Sequence, residues 1–191
     1  MTAALPGADG VPRCPWGNST EDYAAYHDEE WGVPVHGESA LYERLSLEAF
    51  QSGLSWLTIL RKREAFRRAF AAFEPKKVAE YDETDVERLM NDVSIIRNRA
   101  KIEATIRNAH AIAELDVPLD DLLWSFAPNT PKRKHPKLTS EIPAITPESK
   151  AMAKELKKRG FAFVGPTTAY AMMQATGMVD DHLASCWRAN P

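Results

Sequence analysis

The stretch from Thr146 to Thr176, TPESK AMAKELKKRG FAFVGPTTAY AMMQAT, decides the fold. Thr146 is a good N-cap, and Pro147 stands at the first helical position, where a missing N–H costs nothing. Lys157, Lys158 and Arg159 complement the dipole of the final turn, and Gly160 follows just past its end. These signals predict a helix over 147–159. Gly160 to Gly165 then makes a tight connection, and Pro166 opens another helix running to Thr176 before Gly177. The order is helix, hairpin, helix.

Upstream the apolar residues recur at helical spacing. Leu41, Leu45 and Leu47 carry a helix from Ser39 to Gln51, Gly53 interrupts it, and Ser55 can cap a second with Leu57, Ile59 and Leu60. A third is expected through Phe66, Phe70 and Phe73 before Pro75 ends it. Thr84 and Glu87 have capping-box spacing for a segment reaching Met90. Ile102, Ile106, Ala109 and Ala113 form one stripe between Lys101 and Leu115, and a short helix from Leu119 to Phe126 follows. Residues 127–146, with Pro128, Pro131, Pro136 and Pro143, read as one long loop. No pair of alternating β-branched runs with turn signals is present, so the expected class is all-α, without a sheet or internal repeat. Residues 1–12, holding Pro6, Gly7, Gly10 and Pro12, are expected to be a disordered leader, and 13–191 one helical domain.

The 191 residues are 44% hydrophobic and 27% charged, an ordinary globular balance for one core. Without a secretory start or an apolar run long enough to span a bilayer, the expected location is the cytoplasm, with no membrane partner. A net charge of -3 argues against indiscriminate coating of nucleic acid. Basic residues nevertheless cluster at Arg61 to Arg63, Arg67-Arg68, Arg97 to Lys101, Lys132 to Lys137 and Lys154 to Arg159, while Asp82 to Asp92 and Asp116 to Asp121 are acidic. Such a dipolar surface suits one DNA-facing side, and solvated helix faces explain it equally simply.

Two cysteines cannot make a disulfide framework, and each has a histidine at a suggestive distance. Cys14 precedes His27, and His182 and Cys186 stand at i and i+4, which on a helix share a face. Two thiolates and two imidazoles suit a structural Zn²⁺ and leave no open position for an activated water, which counts against a zinc hydrolase. Such an ion would clasp the two ends of the domain. The alternative is two small buried hydrophobes and two incidental histidines.

Trp16, Tyr23, Tyr26, Trp31 and Trp56 crowd one short region, as packing aromatics or as faces for a nucleobase. Glu48 interrupts an apolar helix stretch, either solvated at a rim or lining a cavity. In a cavity its charge would favour a cationic base, and it could accept from the exocyclic amine of adenine.

Arg13-Cys14-Pro15-Trp16, the run Tyr26-His27-Asp28-Glu29-Glu30-Trp31-Gly32-Val33-Pro34, Leu47-Glu48 through Gly53-Leu54-Ser55-Trp56, Leu156 to Phe161 with Phe163-Val164-Gly165, and Asp181-His182 stand in one order. Together they resemble the type I 3-methyladenine DNA glycosylases, a branch of the helix-hairpin-helix glycosylases. The resemblance covers nearly everything from Arg13 to Cys186. It implies one structural zinc on Cys14, His27, His182 and Cys186, and a base pocket of Glu48, Tyr26 and Trp56 with Trp16, Tyr23 and Trp31 around it. It implies monofunctional excision of 3-methyladenine from double-stranded DNA by base flipping, by a monomer, with Gly53-Leu54 as a wedge. Gly160, Gly165 and Thr167 would hold the DNA backbone at the hairpin, although Gly160 as a helix cap and Gly165 as a turn serve structure alone. Asp180 is a further candidate for stabilising the transition state, and Ser52 departs from the small apolar residue usual in the family. Two rivals remain: a zinc-stabilised module that binds alkylated bases without excising them, and a zinc hydrolase.

Overall fold

Every residue from Leu41 to Phe50 is buried, including Glu43, Arg44, Ser46 and Glu48, so the helix that carries them is wrapped on all sides. The computed structural model describes residues 2–129 and 134–189, and among these nine α-helices follow one another. They are α1 (Glu21–Glu29), α2 (Glu38–Gln51), α3 (Trp56–Ala69), α4 (Pro75–Val78), α5 (Glu83–Asn91), α6 (Arg99–Ala113), α7 (Leu119–Trp124), α8 (Pro147–Lys158) and α9 (Pro166–Ala175). The central helix is α2, against which α3, α4, α6, α7 and α9 pack.

The expected break between two helices over 55–73 falls later than the phenylalanines suggest. Ser55 caps α3 by accepting from the Thr58 N–H, and the helix continues unbroken to Ala69. Ala71, Ala72 and Phe73 then adopt left-handed φ values of 49, 54 and 55°. That turn returns Phe73 to the core, where Phe50, Phe66, Phe70 and Phe73 are all fully buried. Their rings meet in sequence at 4.6, 6.2 and 5.6 Å. The cap of α5 is Asp82 with Asp85, not Thr84 with Glu87, because Asp82 already presents a carboxylate to the Thr84 and Asp85 N–H groups.

Around the α8–α9 connection the punctuation is realised as read. Thr146 and Ser149 form a capping box, the Gly160 N–H donates to the Lys157 carbonyl, and the Phe161 N–H donates to Leu156. This is a Schellman end, with Gly160 at φ +93° and the buried Phe161 packed in the position that accompanies it. A buried partner missing from the sequence reading holds the hairpin: the Asn108 amide of α6 donates to the Ala162 carbonyl at 3.1 Å and accepts its N–H at 2.7 Å.

The segment before Arg13 is not the structureless leader expected. Strands β1 (Leu5–Pro6) and β2 (Pro12–Arg13) pair antiparallel, and the Ala4 N–H donates to Ser185 Oγ at 3.1 Å. Arg13 is the cause: its guanidinium bonds Asp9 within the hairpin and Asp28 on α1. Of the basic stretch Lys132 to Lys137, residues 132 and 133 lie outside the described part.

Candidate functional site

A cavity of about 480 Å³ opens between α1, α2 and α3 on one side and α9 with the Thr139–Ala144 loop on the other. All six side chains expected to bind a base line it: Trp16, Tyr23, Tyr26, Trp31, Glu48 and Trp56. Trp16 is the hub of the aromatic wall, its ring 4.8 Å from Tyr23, 6.2 Å from Tyr26 and 5.2 Å from Trp31. Tyr26 lies 5.5 Å from Trp56. The volume is that of a small-molecule site, and a purine ring fits such walls.

Glu48 is 5% exposed, and among the described residues no hydrogen bond reaches its carboxylate. Burial pushes its pKa up to about 8, against a weaker opposing pull from Arg44. Arg44 offsets little because Glu30 takes its charge at 2.7 Å and also receives both guanidinium nitrogens of Arg63, at 2.6 and 2.8 Å. The indole Nε1 of Trp56 is likewise buried without a partner among the described residues. A pocket with a bare carboxyl and a bare N–H is built for a ligand with both a donor and an acceptor.

The opposite wall was missed in the sequence. Thr167, Tyr170, Ala171 and Gln174 line the cavity from one face of α9, and Gln51 does so one turn after Glu48. Spacings of three and four residues were the available signal. Behind them the buried Asp181 accepts from the Tyr170 hydroxyl and from Gln174 Nε2, the latter at 3.0 Å. Thr167, expected at the DNA backbone, therefore sits on the pocket wall as well.

Asp180 is not in the cavity. It accepts from the His182 backbone N–H at 3.1 Å and bonds His182 Nδ1 at 2.7 Å, so the catalytic reading of Asp180 gives way to an orienting one. His182 itself belongs to the second cluster. Ligand atoms of Cys14, His27 and Cys186, all buried, lie within 4.8 Å of one another and could hold a metal ion. His182 packs edge-on to His27 at 5.0 Å, and among the described residues its buried Nε2 has no hydrogen-bond partner. Gly32, at φ +78°, permits this approach, since a Cβ there would stand 2.8 Å from His182 Cε1. The outer nitrogen of each imidazole is held by a carboxylate, His27 Nδ1 by Asp28 at 2.8 Å and His182 Nδ1 by Asp180. Carboxylate-pinned histidines beside two thiols, with His182 Nε2 left over, fit a thiophilic metal such as zinc. The neighbouring Cys14 thiol, and then His27, draw the Cys186 thiol below its usual range.

The helical reading of His182 and Cys186 is corrected. Residues 182–186 form an irregular turn closed by the Cys186 N–H on the Leu183 carbonyl at 2.7 Å. The Leu183 N–H also donates to Cys14 Sγ at 3.4 Å, which joins the two ends directly.

Beside the cavity, Gly53 adopts φ +84° and leaves Leu54 41% exposed, an apolar tip between α2 and α3. At the hairpin, Phe163 is exposed at φ +55°, and Arg107, Lys150, Lys154 and Lys157 surround a groove that includes Gly165 and Pro166.

Residues 16–189 match the family model described as methyladenine glycosylase. The chain is 48% identical over 179 residues to DNA-3-methyladenine glycosylase 1 of Escherichia coli K12, covering 92% of this chain and 96% of that protein. It is 44% identical over 177 residues to a Haemophilus influenzae DNA-3-methyladenine glycosylase, covering 91% and 96%. A solved crystal structure of a 3-methyladenine DNA glycosylase I superposes with a TM-score of 0.88 at 46% identity, over 92% of this chain and 98% of that one. A Staphylococcus aureus 3-methyladenine DNA glycosylase I, solved to explain its recognition of 3-methyladenine, superposes with a TM-score of 0.85 at 37% identity, over 91% and 94%.

Proposed function

The chain belongs to the methyladenine glycosylase family, and we propose that it excises 3-methyladenine from alkylated double-stranded DNA by flipping the base into the Trp16–Trp56 cavity. The observation that carries this reading is the buried, unbonded carboxyl of Glu48 inside an aromatic wall. An enzyme of this kind hydrolyses an N-glycosyl bond. Methylation at N3 makes the base cationic, so the C1′–N9 bond breaks with its electron pair going to the base, which leaves neutral. A water oxygen bonds C1′ and releases one proton.

Glu48 reads the base in this scheme. With a pKa of about 8 it is largely protonated in the empty pocket at neutral pH, so its anionic form is recruited when a cation arrives to replace the missing water. A neutral purine offers no such compensation, which gives selectivity for the cationic lesion. The indole N–H of Trp56 and the amide of Gln51 are the remaining polar contacts available to the ring. No lysine lines the cavity among the described residues, which supports direct hydrolysis without a covalent imine.

Leu54 fills the space that the extruded base leaves, and the hairpin Gly160 to Gly165 with the N-terminus of α9 holds the phosphates. Cys14, His27, His182 and Cys186 would bind one Zn²⁺, which when bound supplies a structural tie between the chain ends. On this reading the enzyme meets its DNA in the cytoplasm and works as a monomer. The test is chromatography of the bases released from methylated duplex DNA. Release of 3-methyladenine is expected; binding without release would replace the enzyme with a damage-recognition module.

A further inference from the structure

Lys101, in the first turn of α6, is 7% exposed, and among the described residues no carboxylate pairs with its ammonium. Its Nζ instead donates to the carbonyls of Phe50 and Ser52, at 2.9 and 2.6 Å. Burying a charge this way is expensive, and the partial negative charge at the C-terminus of α2 is its main compensation. Stability alone does not call for it, because an unbranched apolar side chain would pack there without desolvating an ammonium.

What the ammonium does fix is the place where the chain leaves α2. Phe50 lies in the helix and Ser52 beyond its last residue, so the two bonds straddle the end. The Leu54 N–H closes back on the Gln51 carbonyl at 2.6 Å, and Gly53 turns the chain through its left-handed φ. Glu48 and Gln51 line the cavity one turn earlier, and Trp56 lines it just after. Leu54 is the exposed point between them. We infer that Lys101 is a positioning residue that locks the Gln51–Leu54 turn in the shape that inserts Leu54 into a duplex. This rests on the wedge reading of Leu54. Separating stacked bases works against the tip, and a loose turn would lose part of its binding energy in ordering itself.

The experiment compares Lys101→Met, Leu54→Ala and the double variant on one methylated sequence, offered as duplex and as single strand. Binding of free 3-methyladenine is followed in parallel by tryptophan fluorescence. For Lys101→Met, kcat/KM on duplex is expected to fall about tenfold, and affinity for the free base and excision from the single strand to change less than about twofold. In the Leu54→Ala background Lys101→Met should add less than about another twofold on duplex. Equal losses on both substrates, a parallel loss of free-base binding, or a full further loss beside Leu54→Ala would each overturn the inference and reduce Lys101 to a packing residue. If Lys101→Met does not fold, Lys101→Gln, which keeps a shorter donor, is held to the same duplex-to-single-strand ratio. Leu54→Ala with an unchanged duplex preference would overturn the wedge itself, and wild-type protein releasing no base would overturn the glycosylase reading.

Discussion

Tyr26 and His27 are adjacent on α1, yet one serves a cavity with a bare carboxyl and a bare indole N–H, and the other a cluster whose polar groups are almost all held. At the clasp, Asp28 pins His27 and is itself held by Arg13 and by the Trp187 indole at 3.0 Å, and Asp180 pins His182. Among the described residues, His182 Nε2 is the clasp nitrogen left without a partner. In the pocket, Glu48 and Trp56 Nε1 have no protein partner among the described residues. Trp31 touches both regions, lining the cavity and packing edge-on to His182 at 4.6 Å. A buried polar group held from behind is set to bind one thing in one geometry, whereas a bare one stores a desolvation cost that an arriving ligand relieves.

If that contrast is right, breaking the clasp should cost mainly stability and altering the pocket mainly function. Cys14→Ser is the severest test: it removes a soft ligand, and unfolding stability should fall on the order of 4 kcal/mol. Calorimetry with metal analysis should show Tm lower by about 10 °C and substoichiometric zinc. Equal melting and no zinc in the wild type would remove the clasp.

Glu48→Gln should act in the opposite sense. Discrimination between 3-methyladenine and adenine should fall about a hundredfold, read from released bases. Stability should rise in alkali. The native carboxyl titrates at about 8 and the unfolded one near 4.5, so its favourable contribution is complete below 4.5 and lost as pH rises through 8. Each pKa unit is worth about 1.4 kcal/mol, so the variant should melt several degrees above wild type at pH 9. In the wild type, kcat/KM should climb with pH up to about 8 as the free pocket gains its anion, and the variant should lose that slope. A variant that melts lower at pH 9 would place the carboxyl in water.

The sequence made the local features readable and hid the ones that depend on packing. The α8–α9 unit announces itself because caps, proline and glycine act within one turn, and the aromatic wall was visible as density along the chain. Glu48 stood out as one acid among apolar neighbours, but its protonation could not, since that follows from burial by helices distant in sequence. For the same reason Asn108 and Lys101 gave no signal of their roles: each is polar, unremarkable in its own helix, and meaningful only through a partner 54 or 51 residues away. The i,i+4 spacing of His182 and Cys186 suggested a helix that does not form, and the pair reaches the cluster through a turn instead. Asp180 stands two residues before His182, and only the folded chain shows that its carboxylate bonds that imidazole.

Asp180→Ala sharpens the same comparison at smaller scale. Loss of the pin on His182 should weaken metal retention tenfold to a hundredfold in competition with a chelator. Excision by zinc-loaded protein should change by less than about twofold, because the carboxylate lies outside the cavity. A hundredfold loss of kcat with normal metal retention would restore the catalytic reading of Asp180.

Asp9→Ala should have the smallest effect, and it asks whether the N-terminal hairpin belongs to the clasp. Asp9 bonds Arg13 at 2.7 Å, and this guanidinium holds its carboxyl at about 2, so the pair is fully formed at neutral pH and is lost as pH falls through 2. Its carboxylate is half exposed, however, and water and salt screen it. Arg13 would keep its three contacts to Asp28, and through Asp28 the orientation of His27. The expected drop in Tm is therefore under about 2 °C, shrinking further in 1 M salt, with zinc content unchanged. A drop as large as that of Cys14→Ser, or a loss of zinc, would mean that the hairpin holds Arg13 against Asp28 and that the clasp begins at Asp9 instead of Cys14.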